Sequence, residues 1–303
     1  METRMFVLVR RRLATLFDTL DGESPRQWLE RMIVLTATAG FLLHLLVVIA
    51  VRNLPGLPET VLAGLDRSLL HAIYTPFSVI LFYEVLELVF ALAASHTGEI
   101  SKQYQIISLI VVRRVFKDIG SFENIEHWLA EPKAVQAVLL DMGGAVLMFL
   151  LVTAFTYLRH ISPKVPIERD LSGFIELKKA VAVLLLGVLI GLAALNVGSW
   201  LGVTPNWLKL PTSAGGDFDI FFFPAFFEFM IFTDVFLLIV SLSYYDRYEY
   251  VFRNAGFVIS TVLLRVSLST PKPYDIGLAL FAMAYGVIVL TVFAGFRKIA
   301  PQS

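Results

Sequence analysis

Eight ionisable residues lie inside long apolar runs of this chain: Glu84, Glu87, Asp141, Glu228 and Asp234, with Arg113, Arg114 and Arg265. In "FYEVLELVFALAAS" the two glutamates are three residues apart, so they share one face of a helix. In "IISLIVVRRVFKDIG" two adjacent arginines close an apolar run. A charge at the centre of a membrane helix costs about 2.5–3.5 kcal/mol on insertion scales, so such groups turn inward or pair. Arginine stays protonated. Five carboxylates against three arginines leave two acids without an arginine. A surplus acid must hold a proton, keep water or bind a cation. The acids are therefore candidate proton- or cation-binding groups, and the arginines their counter-ions. The residues neither require nor exclude a metal at the carboxylates.

Other chemistries find no support. There is no cysteine, so disulfides, thiolate metal sites and cysteine nucleophiles are excluded. The five histidines form no HExxH and no haem- or zinc-like spacing on one helix. No phosphate-binding glycine loop, dinucleotide fingerprint or GxSxG elbow occurs. The last apolar run has no mid-span lysine for a Schiff base. Only Arg114 and Lys117 keep the three-residue spacing of a voltage-sensor helix, and Arg113 breaks it. No cofactor is expected. An intramembrane enzyme is the weakest reading, because no nucleophile–base set is visible.

The elements that must position these groups follow from composition. Of the 303 residues 57% are hydrophobic, and the formal net charge is zero, which gives nucleic acid no basic surface to meet. A spanning helix needs about 20 mostly apolar residues. Runs at 32–51, 68–95, 133–158, 173–200, 219–243, 251–270 and 275–296 qualify, punctuated by Pro, Gly and charge clusters such as "RNLPGLPET" and "STPKPYD". The fold class expected is an all-α polytopic bundle of seven to eight spans. Residues 1–31 form a basic amphipathic cytoplasmic segment that precedes the transmembrane domain, 32–303.

Loop charge decides the status of 104–120. Residues 1–31 and 159–179 are the most basic regions and belong on the cytoplasmic side. That requires one more crossing between 97 and 132, and 104–120 is the segment available. It also places 121–131, with Glu123, Glu126 and Glu131, outside. The other placement lays 104–120 flat on the inner surface, since Arg113, Arg114, Lys117 and Asp118 share a face of its C-terminal half. Against it, the stretch from Ile106 to Val112 is apolar nearly all round. Eight helices with both termini cytoplasmic is the arrangement adopted.

In that arrangement Glu84 and Glu87 should meet Arg113 and Arg114, and Arg265 should meet Asp141. Pro76 and Pro224 break helices near the acids, and Gly143–Gly144 and Gly187/Gly191 permit close helix approach. The function expected is an ion- or proton-coupled transporter or channel of a bacterial-type inner membrane. Its partners would be the lipid bilayer, a cation or proton, and a second copy in a homo-oligomer. The rival is a non-transporting anchor, sensor or effector that docks a partner on its basic inner face, using "RRR" at 10–12 and Lys178 with Lys179.

Overall fold

A computed structural model describes residues 2–53, 69–94, 96–120, 132–162, 171–200, 219–244 and 247–299. The described residues form helices joined by short turns, with no strand among them. Nine α-helices are α1 (Glu2–Leu20), α2 (Glu23–Asn53), α3 (Tyr74–Ala91), α4 (His96–Gly120), α5 (Pro132–Ile161), α6 (Ser172–Trp200), α7 (Asp219–Ser241), α8 (Tyr248–Ser269) and α9 (Tyr274–Ile299). A short 3₁₀ turn, Leu69–Ile73, leads into α3. Six of these, α2 and α5 to α9, are long and apolar enough to cross a membrane. The molecule is a helical membrane bundle. The expected outer loop at 121–131 lies outside the described residues.

The helix ends follow local chemistry. Pro132 opens α5, where its missing N–H would have had no partner. Asp275 occupies the first turn of α9 and Arg297 and Lys298 its last, which suits the helix dipole at both ends. Pro224 sits inside α7.

Helices α3, α4, α5, α9, α8, α7 and α6 are successive neighbours, and α6 returns to α3. They close into a ring, with α4 touching α8 across it. Helix α2 packs outside the ring on α3, and α1 packs outside it on α6. The core is built from Leu88, Leu92, Tyr104, Ile107, Phe155, Leu189, Phe226 and Phe257, all nearly inaccessible. Tyr104 stacks edge-on against Phe155, and Phe155 leans on Phe257.

Helix α4 is no surface helix. Ile100, Gln103, Tyr104, Ile107 and Val111 are buried, and among the described side chains only a narrow stripe through Lys102, Gln105, Leu109, Val112 and Phe116 is exposed. A flat amphipathic helix would leave a whole polar face in water.

The N-terminal segment is bound more closely than an amphipathic reading alone suggests. Ala14 and Phe17 of α1 are buried, and Phe17 packs edge-on against Phe90 of α3. Arg10 pairs with Glu176 at 3.1 Å and Lys179 with Asp18 at 2.6 Å. Leu8, Leu16 and Leu20 remain exposed on the opposite side.

Two glycines set close approaches in the α8–α9 and α5–α9 contacts. A Cβ on Gly256 would come within 2.8 Å of Val289, and one on Gly144 would run into Ile276. Gly286 faces the Tyr104 hydroxyl. That hydroxyl donates to Ser260 at 2.5 Å, while Ser260 donates to the Ala282 carbonyl at 2.7 Å. Gly286→Ala should therefore destabilise the bundle by about 1–3 kcal/mol through overpacking. Adding Tyr104→Phe removes the colliding oxygen and should restore part of the loss. Thermal unfolding of the two variants in detergent checks this; equal loss in both would show that the hydroxyl is not the obstacle.

Candidate functional site: two buried charge clusters

Polar contacts between helix ends fix how the ring is strung. The start of α2 meets the end of α3 through Arg26 and Glu87, and the starts of α4 and α6 meet through Glu99 and Lys178. We call this the basal end. Asp118 at the end of α4 meets Lys272 between α8 and α9, which marks the distal end.

The distal cluster is built on α4. Adjacent residues on a helix point about 100° apart. The two arginines of "VVRRVF" therefore cannot serve one partner. Arg113 turns to α3 and forms an ion pair with Glu84. Arg114 turns to α9 and binds Asp275 at 2.5 Å. One turn further on, Asp118 pairs with Lys272, whose ammonium also reaches Asp141 of α5 at 2.8 Å. Glu84, Asp141 and Asp275 are buried; the three cations are partly exposed. Glu84 Oε2 and Asp275 Oδ1 make no hydrogen bond among the described residues.

The second cluster begins at the basal end and runs through four helices. Lys178 of α6 binds Glu99 of α4 at 2.7 Å and the Ala94 carbonyl at 2.7 Å. Gln103 donates to Glu99 at 3.2 Å, and Arg265 of α8 donates to Gln103 at 3.2 Å. Arg265 also pairs with Asp234 of α7, which accepts from Thr261 at 3.0 Å. Lys178, Glu99, Gln103, Arg265, Asp234 and Thr261 are all buried. Two acids face two bases here, so this chain is electrically closed.

Three sequence expectations resolve differently from one another. Glu84 lies beside Arg113. Glu87 instead pairs with Arg26 at the start of α2, and Arg114 with Asp275. The reason is the rise of α3: three residues carry Glu87 about 4.5 Å further toward the basal end, away from the level of the arginines. The expected Arg265–Asp141 contact is absent. Arg265 points across the ring to Asp234, and Asp141 takes Lys272 from the α8–α9 connection. Glu228 joins neither cluster, being exposed on α7.

Sequence reading passed over Glu99, Gln103, Lys272 and Asp275, and gave Lys178 to a basic docking face instead of the interior. Lys178 carried a usable signal. The buried positions of α6 include Phe174, Lys178, Ala182, Leu185 and Leu189, spaced by three and four residues. A lysine on the apolar stripe of a helix needs a partner inside. Glu99 and Gln103 show the same thing, one turn apart and in register with Tyr104 and Ile107.

What the arrangement can do chemically is set by its charge count. The distal cluster holds Glu84, Asp118, Asp141 and Asp275 against Arg113, Arg114 and Lys272. Among the described side chains one acid there exceeds the bases, and it can hold a proton or a cation in exchange with solvent. Burial disfavours the Lys272 ammonium, but the carboxylates of Asp118 and Asp141 outweigh it and hold its pKa above the ordinary lysine value. No family model, curated protein or solved structure matches this chain.

Two outcomes follow. Removing one member of the Glu84–Arg113 pair should cost about 3–5 kcal/mol, as it leaves a buried charge alone. A double-mutant cycle of Glu84→Gln with Arg113→Gln should show strong coupling, and one with Arg114→Gln little. Equal coupling in both cycles would contradict the geometry. For Lys272, a raised folded pKa means that its pairing contributes fully below about pH 10.4, the ordinary lysine value, and is lost as pH climbs past the folded one. From neutral pH upward, the stability gap between the natural protein and Lys272→Met, followed by thermal melts, should persist until strong alkali closes it.

Proposed function

We propose that this multi-pass membrane protein is an ion- or proton-coupled transporter or channel, residing in a bacterial-type inner membrane, with the distal cluster as its exchange site. The observation that carries the reading is the surplus acid among the described side chains: four buried or half-buried carboxylates around three cations. Glu84 is the residue we assign to the exchanged proton or cation. It is buried in the ring, its second oxygen has no hydrogen bond among the described residues, and Arg113 beside it is partly exposed. Arg113 would then act as an internal counter-ion, released or recaptured as Glu84 changes charge. Glu87, tied to Arg26, would hold the basal end of α3 against α2.

The docking alternative loses part of its footing. Lys178 is buried on Glu99, and Arg10 and Lys179 are used within the molecule. Arg11 and Arg12 alone of the proposed basic patch stay exposed.

Reconstitution into liposomes, with dye-reported movement of protons, sodium, potassium and chloride, tests the proposal. The natural protein should pass at least one of these ions. Glu84→Gln should abolish that flux, and Glu84→Asp should keep it with a shifted pH dependence. The double variant Glu84→Gln with Arg113→Gln, which leaves no lone charge, serves as the folded control and should remain inactive. No flux for any ion would remove the transport reading, and full flux in the double variant would remove Glu84 as its site.

A further inference from the structure

Glu84 and Glu87 lie one turn apart on α3 and end in different surroundings. A step of three residues sets two side chains about 60° apart around the axis, with Cβ atoms about 5–6 Å from each other. Glu84 turns to Arg113 of α4, in the distal cluster. Glu87 turns to Arg26 at the start of α2, at the basal end. Each glutamate keeps one buried oxygen with no hydrogen bond among the described residues, Oε2 of Glu84 and Oε1 of Glu87. The arginines are partly exposed, Arg113 by 24% and Arg26 by 26% of the side chain. Two neighbouring acids thus each sit behind a half-exposed cation, one on the distal side and one on the basal side.

Arg26 also has a second acid. Its guanidinium lies 3.3 Å from Asp21 while it binds Glu87. Tyr83 also faces Glu87, with its hydroxyl donating to Glu30 at 3.1 Å, and Lys102 stands exposed near Asp21. When Glu87 takes up a proton, Arg26 therefore falls back on Asp21 and no buried charge is left alone. A pair with nothing behind it resists such a change, because the survivor stays unpaired. The basal contact is built to let Glu87 change its charge, which a fixed strut does not require.

We infer that the exchanged species is the proton, and that Glu87 is the second station of its path, passing it between Glu84 and the basal side. The inference rests on the reading of the distal cluster as an exchange site. A proton needs one free oxygen at each station, and both glutamates have one. A hard divalent cation needs about six oxygen ligands, and among the described residues no three acids or histidines gather to hold a metal ion. The handover balances in charge. Protonated Glu84 gives its proton to the Glu87 carboxylate one turn away. Glu84, now charged, recaptures Arg113; Glu87, now neutral, releases Arg26 to Asp21. Loss of the proton from Glu87 to basal solvent returns Arg26 and resets the pair. The reverse order carries a proton the other way. The tie of Glu87 to Arg26 is then a contact that opens and recloses.

Proteoliposomes under a proton, sodium or potassium gradient, together with infrared difference spectra that read carboxyl protonation on a pH step, test this. The natural protein should pass protons without needing sodium or potassium. Glu87→Gln should lower proton flux by about a hundredfold or more, the scale of a positioned proton-transfer group. It should keep the carboxyl signal that Glu84→Gln removes, because Glu84 still loads from the distal side. Arg26→Gln breaks the same α2–α3 tie but leaves the acid, so it should slow the flux without abolishing it. Sodium or potassium flux without proton flux, full proton flux in Glu87→Gln, loss of the Glu84 signal in Glu87→Gln, or equal loss of flux in Glu87→Gln and Arg26→Gln would each overturn the relay and leave transport by the distal cluster standing. No flux of any ion would remove that transport reading and the relay with it.

Discussion

Hydrocarbon leaves no charge alone, and the ring of helices is organised around that constraint. Each acid buried within it has a cation in reach, and those cations come from places other than the acid's own helix. Glu84 on α3 takes Arg113 from α4, Asp141 on α5 takes Lys272 from between α8 and α9, and Asp234 on α7 takes Arg265 from α8. Such pairs add little net stability beyond what apolar replacements would give. Their effect is on register: a helix that slides by one turn, about 5.4 Å, leaves both partners unpaired. Apolar surfaces slide past one another at far lower cost, so the ionic contacts select one alignment among many that the apolar faces would accept.

The same constraint explains what could be read from the chain. Apolar runs long enough to cross a bilayer announce helices directly: α2 and α5 to α9 fall on six of the seven runs, while α3, on the expected span 68–95, and α4, on 104–120, are not among the helices long and apolar enough to cross. Loop charge brought 104–120 into the bundle although its own composition is weak, and α4 is buried there. Pairing was legible only where two groups lie on sequence-adjacent helices at one level, as Glu84 and Arg113 do. Arg265 and Asp141 were matched by depth alone, and depth ignores direction around the axis. Periodicity separates what depth does not. Asp234 keeps step with the buried residues of α7, while Glu228 keeps step with the exposed ones. A span boundary drawn at 104 also hid Glu99 and Gln103, which continue the buried face of α4 by a further turn.

The basal end shows how a polar segment becomes structural. Arg26 opens α2 by binding Glu87 and lying over the ring of Phe90, against which Phe17 of α1 packs. Lys178 lies over Phe174 of its own helix while it binds Glu99. Both cations thus cover aromatic surface and neutralise an acid at once. The ring here is closed by side chains that would otherwise mark it as a water-facing surface.

The partners of α4 are made at very different times during synthesis. Glu84 precedes Arg113 by one helix, but Asp275 follows Arg114 by 161 residues, and Arg265 follows Gln103 by 162. A ribosome must therefore deliver α4 to the membrane long before the groups that neutralise and cover it exist. With Glu99, Arg113, Arg114 and Asp118 on one helix, α4 has poor grounds for staying in lipid by itself. It has to be sheltered, between α3 and α5 or by the insertion machinery, until the α8–α9 hairpin emerges and slots in. Assembly of the ring then waits on the α8–α9 hairpin. A chain truncated before them would expose charge to lipid and be treated by the cell as unfinished.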